Sequence, residues 1–235
     1  MTIPHSKSRS FELFNAIAGR YDFINSVLSF GLHNGWRHKM CQKLPQLNQI
    51  EGLDLATGTG DVAIEMVKDP RVVSVKGLDM SKGMISHGIE KLKVKGLTDK
   101  IELIHGDAQD IPFEDASFDS VTMSFGIRNV PDASKCLKDA YRVLKPGGRM
   151  IVMEFALPKN KLFKGLHLFY LRNLLPIVGK VLSGHDVAYR YLNETIEEFP
   201  YGDDFVSLMT DAGFKRAGFD ALSFGIVNLY WGDKV

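Results

Sequence analysis

The middle of the chain alternates short apolar runs with helix-patterned stretches, and this ordering permits little except a parallel sheet flanked by helices. "GLDLATG" (52–58) predicts a first strand and "DVAIEMVKD" (61–69) a helix. "VVSVKGLDM" (72–80) predicts a second strand, followed by "SKGMISHGIEKLKVKG" (81–96), a helix with Ser81 placed to cap it. "IELIHGDA" (101–108) and "FDSVTMSFG" (118–126) are a third and a fourth strand. "DASKCLKDAYRVLKPGG" (132–148) is a helix that begins at Asp132 and stops at Pro146–Gly148, and "RMIVMEFA" (149–156) is a fifth strand. The last two strands, "RAGFDALSF" (216–224) and "IVNLYWGDKV" (226–235), are separated only by Gly225 and are expected to be antiparallel.

At 235 residues the chain suits one domain. Its expected parts are an N-terminal helical cap (1–50), a core that binds a cofactor (51–157), a helical insertion (158–200), and a last helix with the final strands (201–235). Net charge is +1, so no overall field favours nucleic acid. Cys41 and Cys136 are far apart and form no C-x-x-C, which suits a reducing cytoplasm without a disulfide framework. No signal peptide is evident at the start. The most apolar long stretch, 162–182, is interrupted by Lys164, His167, Arg172, Pro176 and Lys180 and does not make a membrane span.

Chemistry concentrates in "LDLATGTGD" (53–61). Gly58 and Gly60 permit a sharp turn and a close approach of backbone to ligand, at the strand ends where open α/β sheets bind. Gly58 to Ala63 fits G-x-G-x-x-A, and Asp79 follows about twenty residues later, where an acid accepts hydrogen bonds from ribose hydroxyls. On these features NAD and S-adenosylmethionine are hard to separate. Three others favour the methyl donor. Asp61 stands at the helix N-terminus, where a dinucleotide would put its pyrophosphate, whereas a sulfonium and an ammonium tolerate acids. Asp107 and Ala108 follow the third strand, where an adenine amino group is met, with Ile111 for apolar contact. The reversed final strands match a seven-stranded methyltransferase sheet. The competing reading is that Asp54 or Asp61 simply caps a helix or braces the loop.

The chain resembles the ubiquinone/menaquinone biosynthesis C-methyltransferases over nearly its full length. The matching stretches are "YDFINSVLSFGLHNGW" (21–36), "LDLATGTGD", "MSFGIRNVPD" (123–132), "YRVLKPGG" (141–148), "MEFALP" (153–158) and "AYRYLNETI" (188–196). "YRVLKPGG" occurs in many related methyltransferases; "SFGIRNV" and the N-terminal tyrosine motif are more specific. Thr57 stands where the family usually has glycine, and Asp107 where it often has asparagine. The resemblance implies a Rossmann-like class I fold: a seven-stranded, mostly parallel sheet with an antiparallel last strand, an N-terminal helical cap and a late helical insertion. It implies cofactor contacts at Thr59, Asp79, Asp107, Ala108 and Ser124, and methylation of a ring carbon of a prenylated quinol, demethylmenaquinol first and the benzoquinol precursor of ubiquinone second. An NAD-dependent oxidoreductase and a non-catalytic member of a quinone-synthesis assembly are the alternatives from other classes.

Arg128 and Asn129, after the fourth strand, are the expected catalytic pair facing the substrate oxygen. A loop-clamping salt bridge is the competing role for Arg128, and a backbone cap for Asn129. Tyr21, Tyr189 and His185 are weaker candidates. No metal is expected, since no cluster has ligand spacing. Phe163, Leu166, Phe169, Tyr170 and Leu174 recur at helical spacing. They suit a groove for the prenyl tail and peripheral membrane contact, or equally core packing or the interface of a homodimer.

Overall fold

A computed structural model of the chain describes residues 18–174 and 195–235, together with Phe11, Glu12, Asn15 and Asn193. His185 and Tyr189 lie outside the described residues.

Seven strands form one sheet: β1 (Ile50–Leu55), β2 (Val72–Asp79), β3 (Ile101–His105), β4 (Phe118–Ser124), β5 (Leu144–Phe155), β6 (Lys215–Leu222) and β7 (Val227–Asp233). Their order is β3-β2-β1-β4-β5-β7-β6. The five strands from β3 to β5 are parallel, while β7 runs antiparallel to both β5 and β6. Strand order reverses between β1 and β4, so a ligand crevice is expected at the carboxyl ends of these strands.

Alternation across the pleat gives the sheet two buried faces. Leu53, Leu55, Val121, Met123, Met150 and Val152 pack on one side. Ile50, Val75, Ile151, Met153 and Leu229 pack on the other.

Helices α1 (Tyr21–Leu28) and α2 (Leu32–Cys41) form the cap, and α3 (Asp61–Met66) follows the glycine turn. α4 (Lys82–Lys95) starts where the Ser81 side chain accepts from the Met84 N–H, and ends at Gly96 in the left-handed region. α5 (Ala133–Val143) is capped by Asp132, which accepts from the Lys135 N–H. α6 (Lys161–Phe169) is capped by Asn160 and continues into a wider turn, Tyr170–Leu174, and α7 (Asp203–Asp211) precedes β6.

One boundary differs from expectation. The Lys145–Gly148 stretch is not a helix end but part of β5, which starts at Leu144 with a register shift opposite Phe118–Ser120. Gly147 at φ 82° supplies the conformation that the irregularity needs. Cys41 and Cys136 are both free.

Candidate functional site: an acid-lined cavity at the strand ends

The turn after β1 carries three left-handed residues in five: Ala56 (φ 49°), Gly58 (φ 58°) and Gly60 (φ 84°). Such a turn draws the backbone back over the sheet end and leaves room above Gly58. A Cβ on Gly58 would come no nearer than 3.9 Å to the Tyr21 ring.

Thr57 is the departure from the family pattern, and the structure explains how it is held. Its hydroxyl donates to the Asp54 carboxylate at 2.6 Å, and Thr122, the register partner of Asp54, donates to the other oxygen at 2.7 Å. Across β1 lies Gly77, where a Cβ would stand 2.8 Å from the Thr57 hydroxyl and 2.6 Å from Leu103. Gly77 therefore clears the space that Thr57 fills, and the loop is braced by a side chain instead of being left free. Burial pushes the Asp54 carboxyl up to about 7, against the lowering effect of the two hydroxyls.

A carboxylate raised in the folded state is more easily protonated there than in the unfolded chain. Its contribution to stability is thus greatest at low pH and is lost as pH rises from about 4 towards 7. We expect Asp54→Asn to remove this loss. The difference in melting temperature between variant and parent should shift in the variant's favour from pH 5 to pH 8; a pH-independent difference would contradict the burial account.

A cavity opens at the carboxyl ends of β1, β2, β3 and β4, with an empty volume of about 700 Å³, open solvent included. Among the sequence-derived candidates, Gly58, Asp79, Asp107, Ala108, Ser124 and Asn129 line it. Asp79 accepts from the Gly58 N–H and the Ser81 N–H, each at 2.8 Å, one on each oxygen. Burial raises the Asp79 carboxyl above its ordinary value, and these two backbone donors hold it back. Each oxygen keeps a lone pair for a ligand hydroxyl. Asp107 accepts from the Gln109 N–H at 2.9 Å.

Thr59, Gly60 and Arg128 are not on the wall. The Thr59 hydroxyl donates to Asp22 at 2.7 Å and accepts from the Lys91 ammonium at 2.7 Å. Lys91 also contacts Asp22 at 2.5 Å and Asp61 at 2.8 Å, and Arg37 contacts Asp61 at 2.9 Å. Two acids and two bases thus tie α1, α2 and α4 to the glycine turn. Burial raises Asp61, but Arg37 and Lys91 outweigh it and hold the carboxyl below the usual range. Asp61 is a brace whose charge is matched, so it is not itself the barrier to a phosphate. Ile111 is likewise in the core and not on the wall.

Arg128 takes part in the salt bridge that was its competing role. Its guanidinium is buried and donates to Glu154 at 2.6 Å and to the Phe125 carbonyl at 2.7 Å. The Glu154 carboxyl, pushed up by burial and drawn down by Arg128, lies 26 residues away on β5, which local sequence does not reveal. Asn129 does line the cavity. Its amide N–H₂ donates to the Phe125 carbonyl at 3.3 Å, while its Oδ1 is buried with no hydrogen-bond partner. A flipped amide would set oxygen against oxygen, so Oδ1 is the free acceptor.

Sequence reasoning did not single out Met80, Met84, Phe125 or Phe11 as wall residues. Met80 and Phe125 each directly follow a strand-end candidate, which was the available signal. Phe11 and Tyr21 come from the N-terminal segment, and Asn15 in that segment accepts from the Ser81 hydroxyl and the Gly83 N–H.

The wall chemistry tests the cofactor. Among the described lining residues there are two carboxylates and no Lys, Arg or His. Such a lining repels a pyrophosphate and suits a ligand that bears a sulfonium and an ammonium. Met80, Met84 and Ala108 supply apolar surface for a purine beside Asp79 and Asp107. The residues present therefore fit S-adenosylmethionine. Among the described residues no cluster of His, Cys, Asp or Glu is grouped to hold a metal ion.

Known proteins agree. The fold is similar to that of an S-adenosylmethionine-dependent methyltransferase from Thermotoga maritima, with a TM-score of 0.66 over 96% of this chain and 100% of that one at 19% identity. It is also similar to phosphoethanolamine N-methyltransferase 2 from Haemonchus contortus, solved with S-adenosyl-L-methionine, with a TM-score of 0.63 at 14% identity over 85% of this chain and 52% of that one. In sequence, the chain is 44% identical to the ubiquinone/menaquinone biosynthesis C-methyltransferase UbiE of Geotalea daltonii over 95% of both chains. It is 38% identical to that of Rickettsia akari over 95% of this chain and 91% of the relative. A family model described as the ubiE/COQ5 methyltransferase family matches residues 3–234. With that match over almost all of its length, the chain belongs to the ubiE/COQ5 methyltransferase family, and its methyl donor is S-adenosylmethionine.

Proposed function

We propose that the protein transfers a methyl group from S-adenosylmethionine to a ring carbon of demethylmenaquinol, giving menaquinol in respiratory quinone synthesis. The observation that carries this reading is the cavity wall with two acids and no base at the switch point of the sheet. The names of the relatives cover both ubiquinone and menaquinone synthesis, so C-methylation of the benzoquinol precursor is the second reading. Of the two rings we take the naphthoquinol, the commoner acceptor among compact bacterial members of the family.

Bound in the cavity, S-adenosylmethionine supplies an electrophilic methyl group on a positive sulfur. Asp79 would hold the ribose hydroxyls and Asp107 the adenine amino group, with Gly58, Ala108 and Ser124 in contact. Thr59 and Gly60 act through the shape of the turn. Asn129 Oδ1 accepts the quinol O–H and aligns the ring carbon beside that oxygen with the methyl group. Attack by that carbon would form the new C–C bond as the donor's C–S bond breaks, leaving S-adenosylhomocysteine, and the ring proton would pass to water to restore aromaticity. Arg128 positions Asn129 by holding Phe125 and Glu154; paired with Glu154, it brings no net charge to the substrate. We place the enzyme in the cytoplasm, in peripheral contact with the membrane that carries its prenylated substrate. No helix among the described residues is long and apolar enough to cross a membrane.

Only the reduced ring has electron density at the attacking carbon. Labelled methyl should therefore enter the quinol and not the oxidised quinone; equal labelling of both would contradict the mechanism. Asn129→Ala should lower kcat by about tenfold or more, the loss of one buried hydrogen bond, and leave the Kd for S-adenosylmethionine nearly unchanged. Weakened donor binding with normal kcat would move Asn129 to the donor side.

A further inference from the structure

Single exposed apolar side chains are normal, but here they gather on one surface. Phe30 lies between α1 and α2, Leu32 begins α2, Leu162, Leu166 and Phe169 lie on α6, and Phe224 is at the tip between β6 and β7; all are more than half exposed. Three contacts join these elements. The Phe163 and Phe224 rings stack at 4.7 Å. The Tyr170 hydroxyl donates to the Leu28 carbonyl at 2.9 Å, and the Trp36 indole donates to the Ser223 hydroxyl at 2.8 Å.

Charge in this segment leans to one sign. From Ala156 to Leu174 the chain has Lys159, Lys161, Lys164 and Arg172 and no Asp or Glu, with Arg172 paired to Glu197 at 2.6 Å, although the whole chain has 29 basic residues against 28 acidic. A second copy of the chain in a two-fold contact would set this basic stripe against itself. A bilayer with anionic headgroups offers apolar depth and opposite charge together. A file of packed rings runs from this surface to the cavity wall. Phe125, on the cavity wall, lies 4.4 Å from the Phe155 ring and 6.1 Å from the Trp36 ring, and Trp36 is bonded to the residue before Phe224.

We propose that this face docks on an anionic lipid surface, and that the Phe125, Phe155 and Trp36 rings mark the way by which a membrane-borne prenyl tail reaches the cavity. The proposal rests on the quinol reading above, and its test separates the two.

The full chain is sedimented with vesicles of phosphatidylcholine alone, or with about a third phosphatidylglycerol. The parent is compared with Phe30→Asp/Leu162→Glu. Phe30 has φ 50°, which aspartate tolerates better than phenylalanine, and Leu162 is in the first turn of α6, where an acid suits the helix. Melting temperature and S-adenosylmethionine affinity verify that the variant is folded. The parent should bind the anionic vesicles about tenfold more strongly than neutral ones, lose this at about 0.5 M salt, and lose it in the variant. Turnover of the variant should match the parent on a short-tailed quinol in solution and fall about tenfold on a long-tailed quinol in anionic vesicles. Equal sedimentation of variant and parent, or a parent that stays in solution with both vesicles, would overturn the docking face. So would a parent dimer that the variant dissolves without any vesicle binding, which would give the face to a second copy. A parent inactive on the short-tailed quinol would sink the substrate reading, while sedimentation alone would still decide docking.

Discussion

Replacing Asp79 with alanine weakens the binding of S-adenosylmethionine by about a hundredfold, as measured by titration calorimetry. A hydrogen bond to a charged acceptor contributes ~1.5–3 kcal/mol, and a ribose offers two hydroxyls to this carboxylate. The substitution also strips the Gly58 and Ser81 N–H groups of their acceptor, so the turn beside the ligand loosens as well. Asparagine is a poor rescue. Its amide N–H₂ would face one of those two N–H donors, and the expected affinity stays within about tenfold of the alanine variant. A Kd changed by less than about threefold would remove Asp79 from the ribose role.

The second large effect is at the Arg128–Glu154 pair. Both side chains are buried, 5% and 1% exposed, so removing one partner strands a charge in the core. Breaking a buried pair typically costs ~3–5 kcal/mol. At roughly 2–4 °C per kcal/mol for a chain of this size, Arg128→Met should melt about 10 °C lower. Arg128→Met/Glu154→Gln removes both charges yet keeps an acceptor for the Phe155 N–H, which Glu154 takes at 2.8 Å. It should recover most of the stability. The double variant then separates two roles. If Arg128 only positions the loop, turnover returns with the melting temperature. If the double variant is stable but inactive, the guanidinium acts on the substrate itself, as the sequence suggested.

What the sequence made legible was local. The alternation of runs gave the parallel core, Ser81 and Asp132 gave their helix starts, and the glycine turn with Asp79 at the end of β2 gave a shared cavity wall. What stayed hidden depends on partners far along the chain. Nothing near Arg128 announces Glu154, and nothing near Thr59 announces Asp22 or Lys91, 37 and 32 residues away. Asp61 shows the cost of reasoning without partners. Its charge was expected to repel a phosphate, but Arg37 and Lys91 match it; the preference against phosphate comes instead from a wall without any base. Thr57 is the converse case. It departs from the family pattern, and the compensating residue, Gly77, is on the neighbouring strand, where only register brings the two together. The apolar spacing on α6 was visible, but whether it faced core or solvent was not, because that depends on what packs above it. Leu162, Leu166 and Phe169 prove largely exposed.

The most direct test of the account is methyl transfer from labelled S-adenosylmethionine to reduced short-chain demethylmenaquinol, run beside the benzoquinol precursor. The expected result is labelled menaquinol, formed faster than any labelled benzoquinol. Label in the benzoquinol alone would keep the cavity chemistry and replace the substrate. Binding of S-adenosylmethionine with no label in either ring would contradict the proposed function.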